Sequence, residues 1–466
     1  MSYQELLTLD KALIQADAGC GKTYTILDSL KYITEGKALI LTHTHAGVKS
    51  IKDKANLLDI KPNVYYVTTI HSFAKQYLHA FYVKKDIPKE EDSSYYDFIL
   101  NKSKDIFSTS IVQDVIKTSY KYIFVDEYQD CTKNQHEIIM LISQHLKTYL
   151  FGDPMQGIYN FNRRDLLVNW ETDIPKEFNK LFLDKPYRWI NNNEGLGKDI
   201  KEIRSKLEKR ENININAYKS IEYIRDPGNF RTIPEIYNIL SQNEKVLLID
   251  ANSYMLNSRV KFAYKYNMQF KVMEAITEKE FYKIAKLLDN YEKNYDTTYI
   301  KTVFTTLFKS SINKYFRDNF ILKSNIFTSP NDIVRKFAKL YYYFQNEYTK
   351  SKLLQVLETI IQLPEIKLYR HELFYDLYKA ILEADSNNTT IYQAMCSIRN
   401  NKSILGYKPP NKCIGTTLIT KGLEFDVVVL LNADKFKDPK NFYVAISRAC
   451  KKLYIVSPTK QLYPYK

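Results

Sequence analysis

Short apolar runs separated by amphipathic stretches open this chain. ALIQA (12–16), ALILTHT (38–44), VYYVTTI (64–70), YIFVDE (122–127) and TYLFGD (148–153) each carry consecutive apolar residues rather than an apolar–polar alternation. A strand covered by helices on both sides reads this way, because neither of its faces meets water. Helical segments separate most of these runs, which predicts a parallel sheet with helices on both faces. The pattern returns with KVLLID (245–250), CIGTTLIT (413–420), FDVVVLL (425–431) and KLYIVS (452–457), predicting a second α/β sheet. Between the two parts of this second pattern no glycine occurs from Asn229 to Leu405, and FYKIAKLLDNY and KLLQVLETIIQL space their apolar positions at the helical period. The expected fold is therefore α/β. A first parallel-sheet domain spans 1–76 and 119–183, interrupted by a short helical insertion at 77–118. A second spans 184–274 and 405–466, interrupted by a helical insertion at 275–404.

Charge narrows the partner class. Lysine and arginine number 68 against 53 acidic residues, a formal net charge of +15. A basic surface of this kind seeks an anionic partner, nucleic acid first. The five cysteines (Cys20, Cys131, Cys396, Cys413 and Cys450) include no C-x-x-C pair and are odd in number. That argues against a disulfide framework or a zinc ribbon and for a reducing cytoplasm. The opening MSYQELLTLDK lacks an apolar signal core, and no run approaches 18 apolar residues, so no membrane partner is expected.

Chemistry enters at the end of the first run. ALIQADAGCGKTYTIL (12–27) passes from strand through small residues into a helix, and Ala16, Asp17, Ala18, Gly19, Cys20, Gly21, Lys22 and Thr23 fit a phosphate loop. Small residues let backbone N–H groups approach phosphate oxygens, Lys22 neutralises the β- and γ-phosphates of ATP, and the Thr23 hydroxyl holds Mg²⁺. Such a loop needs a second metal contact from a neighbouring strand end. Asp126, directly after YIFV, fits that role, and Glu127 is placed to deprotonate the attacking water. Asp130 is read as tying this segment to its neighbours.

Further pieces follow in order: TIHSFAK (69–75), FGDPMQGIYNF (151–161), DKPYRW (184–189), TLITKGLEFDVVVL (417–430) and NFYVAISRA (441–449). With the phosphate loop and VDEYQD, this set resembles the UvrD/PcrA/Rep family of superfamily-one helicases. The resemblance implies two RecA-like motor domains, with ATP in the cleft between them and single-stranded or partly duplex DNA across their top. It implies that Gln156 senses the γ-phosphate and that Arg188 and Arg448 reach it from the second motor domain. Tyr187 would stack on the adenine, Glu424 contact the ribose and Gln4 read the base. DNA contacts are expected from His43, His45, Thr69, His71, Tyr159 and Phe161; His43 and His45 stand where the family has Phe and Asn. A metal site on His43, His45 and His71 is not expected, since cysteine or carboxylate partners are missing.

The short first insertion resembles the UvrD-like helicase subunit of the Gabija antiphage system, which works with an OLD-family nuclease. The implied activity is a DNA-dependent ATPase and 3′–5′ helicase in such a defence complex. A stand-alone repair or replication-restart helicase is one alternative; a nucleotide-switched DNA-end-binding subunit with little unwinding is the other.

Overall fold

The computed structural model describes every residue except 1–2, 84–85, 89–91, 93, 160–165, 227, 229–231, 252–254, 275, 277, 318–319, 406–408 and 466. The chain divides into two compact units. One comprises residues 1–254, 265–271 and 406–466; the other comprises 255–264 and 272–405.

The first unit contains both predicted sheets. Six parallel strands build the first: β1 (Lys11–Ala16), β2 (Ala38–Thr42), β3 (Tyr65–Thr69), β4 (Tyr122–Val125), β5 (Lys147–Gly152) and β6 (Asn179–Leu183), in the order β3-β2-β4-β5-β1-β6. Successive side chains leave opposite faces of a strand. Leu13, Leu39 and Leu41 accordingly join one core with Phe73, Phe107 and Ile138, while Ala12, Ile14 and Ile40 join another with Ile26 and Leu27. Both faces are covered, as the unbroken apolar runs require. Strand β6 was not expected from the sequence. Its NKLFL is too exposed to read as a buried run, with Phe182 71 % accessible.

After the minor antiparallel pair β7 (Ile213–Asn214) and β14 (Gln461–Leu462) is set aside, the second sheet holds β8 (Ile221–Arg225), β9 (Val246–Asp250), β10 (Lys271–Val272), β11 (Lys412–Gly415), β12 (Phe425–Leu431) and β13 (Ala449–Ser457). Their order is β10-β11-β9-β12-β13-β8, parallel from β11 through β8. The α/β class with two parallel sheets is thus as expected. One run departs from its prediction: CIGTTLIT is strand only to Gly415. Thr416 then accepts the Ile419 N–H through its hydroxyl and starts a helical turn, Thr417–Thr420. The side-chain cap diverts the backbone out of the sheet.

The second unit is helical. Helices Glu278–Asn294, Thr297–Phe308, Asp332–Asn346, Lys350–Ile360, His371–Ser386 and Ile391–Leu405 enclose a core rich in aromatic rings, including Phe304, Phe308, Phe316, Phe320, Phe337 and Tyr341. Phe316 and Phe320 stack with centroids 4.0 Å apart. Asp289 accepts the backbone N–H groups of Ile391 and Tyr392, satisfying the start of the last helix from within the core. Among the described residues no helix is long and apolar enough to cross a membrane.

Candidate nucleotide site

Strand β1 ends at Ala16 and the chain turns through Asp17–Gly21 into the helix Lys22–Leu30. Gly19 and Gly21 sit at φ +73° and +80°, where a side chain is strained. Space is closed there as well: a Cβ on Gly19 would lie 2.7 Å from Arg188 Cβ, and one on Gly21 2.9 Å from the Tyr187 ring. Lys22 is buried and donates to the Ala16 carbonyl at 3.1 Å, so its ammonium folds back over the loop it would serve. The Cys20 N–H closes a tight turn onto the Asp17 carbonyl, and the Ala18 N–H donates to the Tyr443 hydroxyl.

At the end of β4, Asp126 accepts the Thr23 hydroxyl through Oδ2 at 3.2 Å and the Glu127 N–H through Oδ1 at 2.9 Å. Hydroxyl and carboxylate together are hard oxygen donors of the kind Mg²⁺ takes, with the remaining positions left for phosphate and water. The residues present therefore fit the metal. Among the described residues no group of three or more His, Cys, Asp or Glu side chains is arranged to hold a metal by itself.

Glu127 has φ +57°, a left-handed conformation that a side-chain-bearing residue adopts only at a cost. Backbone strain of this kind clusters at functional sites. The two adjacent carboxyls are driven apart. Burial pushes Asp126 above the usual carboxylate range, helped by the Glu127 charge. Burial also opposes the charge on Glu127, but Lys22, Lys421, the Gln129 amide and Arg448 outweigh it and hold this carboxyl ionised. Gln129 Nε2 donates to Glu127 Oε2 at 2.6 Å, while Gln129 Oε1 accepts the Asp153 N–H.

Asp130 ties the two sheets together. Lys421, on the segment before β12, donates to both Asp130 oxygens and to the Gln156 carbonyl, each at 2.5 Å. Both charged groups are almost wholly enclosed, and burial pushes Asp130 up to about 7 and pulls the Lys421 ammonium down. Gln156 is equally committed. Its Nε2 donates to Asp153 at 2.8 Å, and its Oε1 accepts Arg448 NH2 at 3.1 Å. Arg448 is 2 % exposed and also donates to the carbonyls of Val444 and Leu423 and to the Ser447 hydroxyl.

Arg188 follows β6, whose Leu183 pairs with Ala16 at the mouth of the phosphate loop. Its N–H donates to the Gly19 carbonyl, and its guanidinium turns to the Ser447 carbonyl and to Glu424 Oε1 at 2.6 Å. Arg188 and Glu424, expected at opposite ends of the nucleotide, are therefore paired with each other. The physical reason is proximity: Glu424 lies within ion-pair distance of that guanidinium and neutralises it. Tyr187 lies half exposed with its ring against Gly21 and the Lys185 ammonium 5.0 Å from the ring centroid. Gln4 is exposed on the helix Tyr3–Thr8.

The expected DNA-contacting residues fall into three groups. Thr69 is buried and caps the helix Ile70–Phe81, accepting the Ser72 N–H, so its hydroxyl is used structurally. His43 lies against Cys131, Nε2 to Sγ 3.5 Å; burial and the nearby Lys421 pull its imidazole down to about 4 and keep it neutral. His71 packs on Tyr96 with centroids 4.6 Å apart, His45 is exposed, and Tyr159 carries the Lys421 ammonium 4.8 Å from its ring centroid. Phe161 lies outside the described residues. The reading of the sequence passed over Gln129, Asp153, Lys421 and Tyr443 although each sits inside a quoted motif; Arg204, described below, had no signal at all.

Comparison with known proteins agrees with this geometry. Residues 3–162 match the AAA_19 family model, described as an AAA domain. The Gabija protein GajB of Bacillus cereus (strain VD045) is 23 % identical over 510 aligned residues, covering 97 % of this chain and 94 % of that protein. The ATP-dependent DNA helicase PcrA of Staphylococcus aureus (strain Mu50 / ATCC 700699) is 29 % identical over 108 residues, 22 % of this chain and 15 % of PcrA. The chain is thus similar to UvrD-like helicases, without matching either of these two closely. The RecBCD enzyme subunit RecB of Buchnera aphidicola subsp. Acyrthosiphon pisum (strain APS) is 29 % identical over 210 residues, 44 % of this chain and 17 % of RecB. The UvrD-like match to GajB runs nearly end to end, whereas PcrA and RecB share only limited stretches with this chain.

Proposed function

We propose that this UvrD-like helicase hydrolyses ATP on single-stranded DNA or DNA ends and moves 3′ to 5′, as a subunit of a Gabija-like antiviral complex in the cytoplasm. One observation carries the enzymatic part: a complete hydrolytic set meets in one place, drawn from both sheets. Lys22 and the loop N–H groups bind and orient the phosphates. Thr23 and Asp126 would hold Mg²⁺, which supplies charge neutralisation to the transferring phosphoryl group. Glu127, held ionised, accepts the proton of the attacking water. Gln156 and Arg448 are already bonded to one another; when the γ-phosphate occupies the site, the guanidinium exchanges Gln156 for the developing charge. Because Arg448 belongs to the second sheet and Lys22 to the first, hydrolysis depends on how the two sheets approach, which suits a motor. Tyr187 offers a face to the adenine.

The assignment to a defence complex rests on the near full-length likeness to GajB; an OLD-family nuclease is the partner proposed. The test is ATP turnover by the purified chain with and without single-stranded DNA, for wild type, Lys22→Ala and Glu127→Gln. Lys22→Ala should lose nucleotide binding. Glu127→Gln should still bind ATP but hydrolyse it roughly 10²–10⁴-fold more slowly. Near-normal turnover in Glu127→Gln would sink the assignment. Failure to associate with an OLD-family nuclease, with processive unwinding by the chain alone, would point instead to an autonomous repair helicase.

A further inference from the structure

One buried cation stands apart from the helicase motifs. Arg204, on the helix Glu194–Glu208, is 4 % exposed. Its NH1 donates to Asp153 Oδ1 at 2.7 Å and to the Tyr443 hydroxyl at 3.1 Å, and lies 3.0 Å from Asp17 Oδ1. Its Nε donates to Glu208 at 3.1 Å, and its guanidinium stacks over the Tyr443 ring at 5.1 Å. Three functional segments therefore converge on one side chain: the phosphate loop through Asp17, the turn carrying Gln156 through Asp153, and the helix Pro439–Ile446 that leads into Arg448 through Tyr443.

The connections continue to the reacting end. Asp153 is fully buried, and its second oxygen accepts Gln156 Nε2 at 2.8 Å, which fixes which way the Gln156 amide faces. The other end of that amide must then accept Arg448 NH2. On the opposite side, Tyr443 takes an Ala18 N–H of the phosphate loop. Without the guanidinium, the half-buried Asp17 and the buried Asp153 would face each other with no cation between them, a costly arrangement for Asp153.

We propose that Arg204 is a positioning residue of the ATP site, setting the register between the phosphate loop and the Gln156–Arg448 pair without touching nucleotide. This rests on the ATPase reading given above. The guanidinium serves Asp17, Asp153 and Tyr443 through NH1 and Glu208 through Nε at once; a lysine ammonium can replace the charge but not this two-nitrogen geometry.

The experiment compares full-length wild type, Arg204→Gln, Arg204→Lys and Tyr443→Phe, with and without Gln156→Ala, in DNA-stimulated ATP hydrolysis. Arg204→Gln should lower kcat at least about 10-fold while KM for ATP and binding of a fluorescent ATP analogue change less than about 3-fold. Arg204→Lys should recover part of that loss, and Tyr443→Phe should lose less than Arg204→Gln. Adding Gln156→Ala to Arg204→Gln should cost clearly less than it costs wild type, since both act on one chain of contacts. Should Arg204→Gln fail to fold, Arg204→Lys and Tyr443→Phe carry the same comparison. Full kcat in the folded Arg204 variants, or losses strictly additive with Gln156→Ala, would overturn the proposal. An active wild type with unaffected variants removes this inference alone; a wild type without ATPase removes the function it rests on as well.

Discussion

Glu127 shows what a motif can and cannot say about a single residue. Its acidity and its place after an apolar strand are legible in YIFVDE. Its left-handed backbone is local, and of the groups that hold it ionised Gln129 lies two residues on, but Lys22, Lys421 and Arg448 come from segments far away in the chain. Arg204 was invisible for the same reason, since an arginine in the helical run KDIKEIRSKLE reads as a solvated position until Asp17, Asp153 and Tyr443 are brought around it. His43 gives a residue-scale prediction. Its imidazole titrates near 4 in the folded chain against an ordinary value of about 6.5. Between these values the unfolded chain binds the extra proton, so the contribution of His43 to stability is complete above pH 6.5 and is lost as pH falls toward 4, at no more than about 1.4 kcal/mol per pH unit. Denaturant midpoints at pH 5 and pH 7.5 should differ more for wild type than for His43→Gln. Equal differences would show that His43 does not titrate in this window.

At the scale of the element, the buried strands were readable because continuous apolar runs have few alternatives inside an α/β domain. Strand β6 was not, because its NKLFL leaves Asn179, Lys180 and Phe182 exposed to water, unlike the buried edge strand β3. The short helix Thr417–Thr420 was missed because one capping hydroxyl outweighed an apolar, β-branched sequence. The phosphate loop offers an element-level test. Gly21→Ala places a methyl group at φ +80° and 2.9 Å from the Tyr187 ring. The strain is worth about 1 kcal/mol or more, and relief requires Tyr187 to move. ATP affinity, measured by titration with a fluorescent analogue, should fall about 10-fold, with little change when Tyr187 is also replaced by Ala beyond what the single Tyr187→Ala change costs. Unchanged affinity in Gly21→Ala would mean that the ring does not border the nucleotide.

For the whole molecule, the net charge of +15 is the property that acts at longest range. If the chain binds the phosphate backbone, affinity for a single strand should fall steeply and log-linearly with salt, with a slope of about −0.7 for each phosphate neutralised. Stacking on bases is less sensitive to salt, so a shallow slope would shift the weight of binding to aromatic contacts such as Tyr159. Fluorescence anisotropy of a labelled oligonucleotide between low and moderate salt separates the two. The same titration with poly-pyrimidine and mixed sequences should give similar affinities, because backbone contacts read no sequence.

The short helix Tyr187–Ile190 occupies the covalent passage from the first sheet to the second. Arg188 N–H is bound to the Gly19 carbonyl on one side, and Trp189 Nε1 to the Ala449 carbonyl on the other. A segment fastened to both halves is a pivot, and points near a pivot travel least. Tyr187 would then keep its hold on the base throughout a stroke, and Arg448, between Ser447 and Ala449 whose carbonyls bind Arg188 and Trp189, stays close to the same pivot. The spent nucleotide should leave in two stages, inorganic phosphate first and ADP second, so that added ADP inhibits turnover competitively with ATP while added phosphate inhibits only weakly.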